Sequence, residues 1–477
     1  MVMKDEKSGI VDRPLFASEL VTQRLAEALA TVSYSNLPAQ VVMDTKRAVL
    51  DWLGSALAGA TEPPARMAQR VVASMGKSTE ATIFAAGRSS AALAAMTNGI
   101  ASHILEFDDV HKESTLHGGA PIISATLAVA EREHADGRSF ILAVVLGYEA
   151  ALRIGEAVNP SHYHFWHPTG TVATFGAAAA AGSLMKLNSE QTVNALGSAG
   201  TQAAGLWEFN SDGAMSKHLH PGKAAFNGVL AADLARAGFT AASRILEGER
   251  GFVRAMSTSR DASQITRGFG TQWKISENCY KLHSCCGHTH TAIDSALDLR
   301  AARNWSARDV LDQVEHLHIE TYGPGFQIVK EPNPSSPYGA KFSIAYCLVI
   351  ALLEGVVGLE QFRNERFDQY GVRDADISAL LQRTEVTVND ELTAKYPAAW
   401  PVRLTMTLKG GVVLRATSDY PRGNPEKPVS DAELEKKFSS LVEPKLGSQA
   451  VARALRVVRS LESRLDMADA FSDISPA

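Results

Sequence analysis

From about residue 18 to residue 260 the apolar residues recur almost without interruption at intervals of three and four, the period of an α-helix read along its buried side. In the segment 39–58, AQVVMDTKRAVLDWLGSALA, that spacing is kept by Val42, Val49, Leu50, Leu53 and Leu57. It follows Pro38, a residue suited to the first turn of a helix. Further helices are expected at 90–105, 121–134, 139–157, 170–186, 189–205 and 222–237. The joints between them are short and carry Gly, Asp or Asn, as in Ala135-Asp136-Gly137-Arg138. Several of these segments are apolar on most faces, so they belong inside a helical core. The most apolar, 169–185 (TGTVATFGAAAAAGSLM), is short for a membrane span, and its Ala and Gly drive insertion weakly. It reads as a buried helix whose small side chains let neighbouring backbones approach closely.

After about residue 270 the period changes. Residues 313–321 (QVEHLHIET) and 384–390 (TEVTVND) alternate polar and apolar, as half-buried strands do. Residues 402–417 (VRLTMTLKGGVVLRAT) read as a hairpin turning at Gly410-Gly411. A helix interrupts at 340–355, and 429–462 returns to helix behind Ser430 and Glu433, which have capping-box spacing. A chain of 477 residues exceeds what one core usually holds. The expected fold is therefore mainly α: a large all-helical domain, 1–270 plus 425–477, with a smaller α+β lid domain, 271–424, inserted. A cleft between two such domains is a natural place for a ligand.

The net charge of −5, with no dense run of Lys or Arg, argues against a nucleic-acid partner but leaves acidic small molecules open. Cys279, Cys285, Cys286 and Cys347 form a poor disulfide framework, which suits a reducing, cytoplasmic setting. Residues 1–14 lack an apolar run and read as a flexible arm rather than a secretory leader. No P-loop, GxGxxG, GxSxG or HExxH pattern is present, so nucleotide, hydride and serine-hydrolase chemistry lose support.

Five clusters could carry chemistry. In 105–119 (LEFDDVHKESTLHGG) an apolar helix ends in Glu106, Asp108 and Asp109, followed by His111 and His117. Carboxylates there can set an imidazole's tautomer and basicity. In 162–171 (HYHFWHPTGT) His167 stands before a helix, whose N-terminus favours anions. In 215–223 (MSKHLHPGK) Lys217, His218, His220 and Lys223 gather before another helix and would suit a substrate with two or three carboxylates. In 279–290 (CYKLHSCCGHTH) the thiols and imidazoles lack CxxC pairs and a second half-site. Structural zinc is not expected, and Lys281 contributes instead. Lys341, finally, starts a buried helix after a Pro-rich loop, and capping that helix is its expected role.

These clusters, in this order, resemble the MmgE/PrpD family, which contains 2-methylcitrate dehydratase, cis-aconitate decarboxylase and an iminodisuccinate epimerase. The resembling stretches are 103–131, 147–155, 166–187, 215–235, 280–294 and 340–355, which together reach across nearly the whole chain. The resemblance implies a helical domain with an inserted lid, a homodimer, and no metal or other cofactor. It places catalytic roles on His117, His167, Lys217 and Lys281; Glu106, Asp109, His220 and Cys286 are the expected substrate contacts. Glu106 stands where many members have Asp, Val110 where many have Thr, and Cys286 where animal cis-aconitate decarboxylases have His. The spacing from Glu106 to His117 and the KLxxCCGxxH string at 281–290 look most like the fungal decarboxylase. The EWGHPSDN-like string of bacterial 2-methylcitrate dehydratases is absent. The implied activity is that of a lyase, a decarboxylase or dehydratase, on a small polycarboxylate such as cis-aconitate or a methylcitrate-like acid. Epimerisation of an amino- or imino-dicarboxylate and carboxylate binding without catalysis are the alternatives.

Overall fold

The computed structural model describes residues 20–259 and 261–474. The arm expected at 1–14 lies outside the described residues. The protein is mainly α-helical. Nine helices matter for the site: α1 (Ala39–Gly59), α2 (Ala91–His103), α3 (Gly119–Arg132), α4 (Gly137–Val158), α5 (Val172–Leu184), α6 (Ser216–Arg236), α7 (His290–Ala302), α8 (Ile344–Glu354) and α9 (Asp431–Arg459). Asp136 caps α4 by accepting the Ser139 N–H at 2.7 Å, and Ser430 with Glu433 forms the expected capping box of α9.

The first hydrophobic core runs from Val21 to Tyr280 and is completed by residues of the C-terminal segment, from Val429 to Ile474. Its centre is built from small residues. A Cβ placed on Gly228 of α6 would lie 2.4 Å from the Ala177 Cβ of α5. One placed on Gly147 of α4 would lie 2.5 Å from Ile122 of α3. Only glycine permits these approaches, so the Ala-rich α5 is enclosed by neighbours on all sides, as its composition predicts. No helix among the described residues is long and apolar enough to cross a membrane.

A second core, with buried residues from Cys285 to Leu408, packs α7 and α8 against a four-stranded sheet. The strands are β1 (Val314–Thr321), β2 (Thr384–Val388), β3 (Val402–Leu408) and β4 (Val413–Ser418), in the order β2–β1–β3–β4. Only β1 and β2 are parallel, with Leu317 opposite Thr384 on one side and Met406 on the other. Val402, Leu404, Met406 and Leu408 alternate inward. The hairpin turns where expected, with Gly410 and Gly411 both in the left-handed region (φ 89° and 83°). The chain crosses between the two cores at 281–284 and again at 417–428. A small cluster of Val110, Cys279, Tyr322, Leu392 and Trp400 packs where they meet.

Three boundaries differ from expectation. Helix α6 begins at Ser216 rather than at residue 222, because Pro221 is accommodated just after the first turn, where its missing N–H costs only the bond to the Lys217 carbonyl. Lys341 ends a short helix, Pro337–Lys341, instead of starting the buried one; Ser343 starts α8 by accepting the Tyr346 N–H at 3.1 Å. The last helix kinks at Gly447, whose φ of 77° and ψ of 166° are not helical.

Candidate active site

Helix α2 stops at His103 and the chain then makes a tight, buried loop before α3. Glu106 sits in that loop with φ 56°, a conformation disfavoured for a residue with a side chain. Distant side chains hold the loop in place through its carbonyls. The Leu105 carbonyl accepts from Ser284 Oγ (2.7 Å) and Lys341 Nζ (2.7 Å), and the Glu106 carbonyl from Lys281 Nζ (3.1 Å). The Phe107 carbonyl accepts from Lys437 Nζ (2.5 Å), and the Asp109 carbonyl from His117 Nδ1 (2.7 Å). Lys437 also pairs with Asp51 of α1, so α9 reaches the loop from the far side of the first core.

The Glu106 carboxylate pairs with Lys217 Nζ from the start of α6 and lies 3.5 Å from Lys281 Nζ. Burial would raise this carboxyl group, but Lys217 and Lys281 outweigh it and hold it well below the usual range. Burial would lower Lys281, and the charges of Glu106 and Asp108 overcome that and raise it. Phe342 of the second core lies under Lys217, ring centroid 4.7 Å from Nζ.

Around this ion cluster stand five imidazoles. His103 Nδ1 bonds Asp108 Oδ2 at 2.7 Å, and the His117 ring is 4.8 Å away, edge to face. His117 Nδ1 meets a carbonyl, which can only accept, so Nδ1 carries the proton and Nε2 is the basic nitrogen. Burial, with the charge of Lys281 next among the causes that act the same way, pushes His117 well below the ordinary histidine value, against the pull of Asp108. It is a neutral base at neutral pH. His167, brought by the loop before α5, shares a proton with His220 (Nδ1 to Nδ1, 3.0 Å). Burial depresses both, His220 to about 3 and His167 well below its usual value. His218 Nδ1, His103 Nε2 and Asp108 Oδ1 are buried without a hydrogen-bond partner, and each such atom is costly unless something binds it.

The structure thus brings together Glu106, His117, His167, Lys217, His220 and Lys281. Cys286 lies close to them, and burial pushes its thiol up to about 11, so it is no nucleophile at neutral pH. Asp109 is placed differently. Its Oδ1 accepts from the Gly119 N–H (2.9 Å) and its Oδ2 from Tyr148 (2.5 Å) and Asn278 (2.7 Å), which commits the carboxylate to scaffolding. Burial and the neighbouring Asp51 push that carboxyl group up to about 7. Its carbonyl, rather than its side chain, serves the site. One ligand atom from each of His103, Asp108 and His117 lies within 4.8 Å of the others, a spacing that can hold a metal ion. As folded, both Nδ1 atoms are engaged, by Asp108 and by the Asp109 carbonyl.

Two family models match the chain: the MmgE/PrpD N-terminal domain over residues 23–265 and the MmgE/PrpD C-terminal domain over residues 283–463. The chain belongs to the MmgE/PrpD family. It is similar to the cis-aconitate decarboxylase-like protein oryM of Aspergillus oryzae, at 26% identity over 95% of this chain and 97% of that protein. It is similar as well to the cis-aconitate decarboxylases of Aspergillus terreus (25% identity, 96% of this chain, 94% of the relative) and Homo sapiens (26%, 94% and 92%).

Within this MmgE/PrpD chain, sequence reasoning missed His103, which ends an apolar helix and looks like a core residue, and left Asp108 and His218 without roles of their own. The signal for His103 was Asp108, five residues on and across a helix end. Lys341 was read as a capping residue, yet its Nζ reaches the loop carbonyl beside Glu106.

Proposed function

We propose that this MmgE/PrpD protein is a lyase acting on a small di- or tricarboxylic acid, with decarboxylation of cis-aconitate or a close relative as the first candidate. One observation carries the reading: the lysines Lys217, Lys281 and Lys341 converge on one loop, facing a neutral imidazole, His117, whose basic nitrogen is free. The printed activities of the fungal and human relatives support the choice of acid.

In this mechanism the lysines and His167 hold the substrate carboxylates, displacing part of the grip of Lys217 and Lys281 on Glu106. Loss of carbon dioxide breaks a carbon–carbon bond and leaves its electron pair shared with the adjoining carboxylate. The fixed cations stabilise that charge in a site closed to water. His117, once protonated, returns a proton to carbon, so one proton is consumed per carbon dioxide released. In dehydration His117 would instead take the proton and an acid would accompany the leaving hydroxide. We assign the helical domain to 1–270 plus 425–477 and the lid to 271–424. Phe342, carried by the lid, lies over Lys217 and would have to withdraw for substrate to enter. The reaction is proposed to need no metal, and the protein to act as a homodimer.

Proton NMR of the protein with cis-aconitate, citrate, 2-methylcitrate and iminodisuccinate in D₂O, run separately, tests this. Itaconate from cis-aconitate is the expected product, unchanged after prolonged EDTA. A stereoisomer from iminodisuccinate with no loss of mass would make the protein an epimerase, and silence with all four would remove these acids as substrates.

A further inference from the structure

Beside the cation cluster, one layer of aromatic rings away, a cavity of about 950 Å³ opens where the two cores meet. Its inner wall is Trp207 and Tyr163. The Trp207 ring lies 4.9 Å from the His167 ring, and the Tyr163 hydroxyl is 3.3 Å from Nε2 of His288. Phe165 and Leu206 line it from the helical side, Ile328 and Tyr396 from the other. Phe165 and Leu206 are 63% and 57% exposed and are held beside each other by the Trp207 N–H, which donates to the Phe165 carbonyl (3.2 Å), so one apolar group seated here would cover both.

The charges of the two neighbouring spaces are opposite in kind. The cluster holds Lys217, Lys281 and Lys341. The residues lining the cavity include one carboxylate, Glu208, and no lysine or arginine. The polar side chains of the lining are His164, Glu208, Asn210, Ser211 and Gln327, so a carboxylate seated in the cavity would find no lysine or arginine to pair with, whereas in the cluster it meets three lysines. The cavity is also near the top of the range, about 300–1,000 Å³, in which drug-sized ligands are buried. A bare six-carbon acid held at the lysines would leave it empty.

Building on the carboxylate-lyase reading, we infer that the substrate is a polycarboxylate carrying an apolar substituent, an alkyl chain or aryl group. Its carboxylates sit at the lysines, and its tail runs past Trp207 and Tyr163 into the cavity lined by Phe165, Leu206, Ile328 and Tyr396. Tyr163 and Trp207 are then specificity-determining residues.

Calorimetric titration of the full-length protein with succinate and with butyl-, hexyl- and octylsuccinate tests the inference apart from turnover. Affinity should climb by about three- to fourfold per methylene until the cavity is filled. In Ile328→Trp the climb should flatten, read as the ratio of octyl- to unsubstituted acid. In Ile328→Ala the climb should persist, which separates filling of the cavity from damage to the fold. The head group should matter equally: Lys217→Ala should weaken the whole series, and octanol should not bind. An affinity independent of chain length, with succinate still bound, overturns the tail subsite and leaves the proposed lyase standing. Octanol binding as well as octylsuccinate would make the cavity a separate apolar site and overturn the head-and-tail arrangement. If no acid of any length binds, this inference and the proposed function fall together.

Discussion

Helices α4, α5 and α6 are held together by what their residues lack, whereas the loop Leu105–Asp109 is held by side chains that reach across the molecule. In the first region Gly147 and Gly228 let backbones close on Ile122 and Ala177. In the second, Lys281, Lys341, Lys437 and His117 donate to four of the five loop carbonyls, and Glu106 is kept in a left-handed conformation between two lysines. Close packing fixes position through sterics and tolerates little change in volume. Long charged side chains fix position through electrostatics, and the same cations remain available to an incoming anion. The molecule uses the first device to build a rigid frame and the second to build a site on it.

If this division is right, His117→Asn should show the largest effect on chemistry. A fall in kcat of about a hundred- to ten-thousandfold is expected, the range for loss of a general acid–base group, with KM and the melting temperature little changed. The Asn amide can still donate to the Asp109 carbonyl, so the loop keeps that contact. A loss confined to KM would make His117 a binding residue and would weaken the contrast.

The mirror experiment is Gly228→Val in the close-packed region. The built Cβ position already lies 2.4 Å from Ala177 Cβ and 2.7 Å from backbone atoms, so the helices must part. A loss of about 1–3 kcal/mol in urea unfolding is expected, with kcat of the folded fraction preserved. Unchanged stability together with a lower kcat would show that the frame and the site are not separate.

The two regions were also unequally legible in the sequence. The frame announces itself because helical periodicity and small residues are local signals: α2 to α5 fall within two or three residues of their expected bounds, and the Gly410-Gly411 hairpin lies where its residues require it. The site does not. Its imidazoles and lysines come from α2, the loop before α3, the loop before α5, α6, the crossing at 281–284 and the short helix Pro337–Lys341, and only the fold brings them together. Resemblance to a family supplied positions such as Lys217 and Lys281, but nothing local distinguishes Asp108, which orients an imidazole, from Asp109, which ties down Tyr148 and Asn278. Pro221 misled in the same way, since a proline that usually stops a helix is harmless this close to its start.

Lys341 offers the smallest effect and the sharpest separation of site from frame. Burial, with Lys281 and Lys217 adding to it and Glu106 opposing, lowers this lysine to about 8. Its charge is complete well below that pH and is lost as pH rises through it, so KM for a polycarboxylate should rise a fewfold above pH of about 8. In Lys341→Met that alkaline rise should disappear, leaving a uniformly higher KM. Linkage gives a second, opposite readout. Between about 8 and the ordinary lysine value of 10.5 the unfolded lysine still binds a proton that the folded one has released, so this group makes folding more favourable as pH rises through that window. Weaker binding accompanied by undiminished stability therefore marks loss of a cation at the site. If KM and urea stability deteriorate together above pH 8, and do so equally in Lys341→Met, the alkaline limb belongs to the frame and Lys341 only ties down the Leu105 carbonyl.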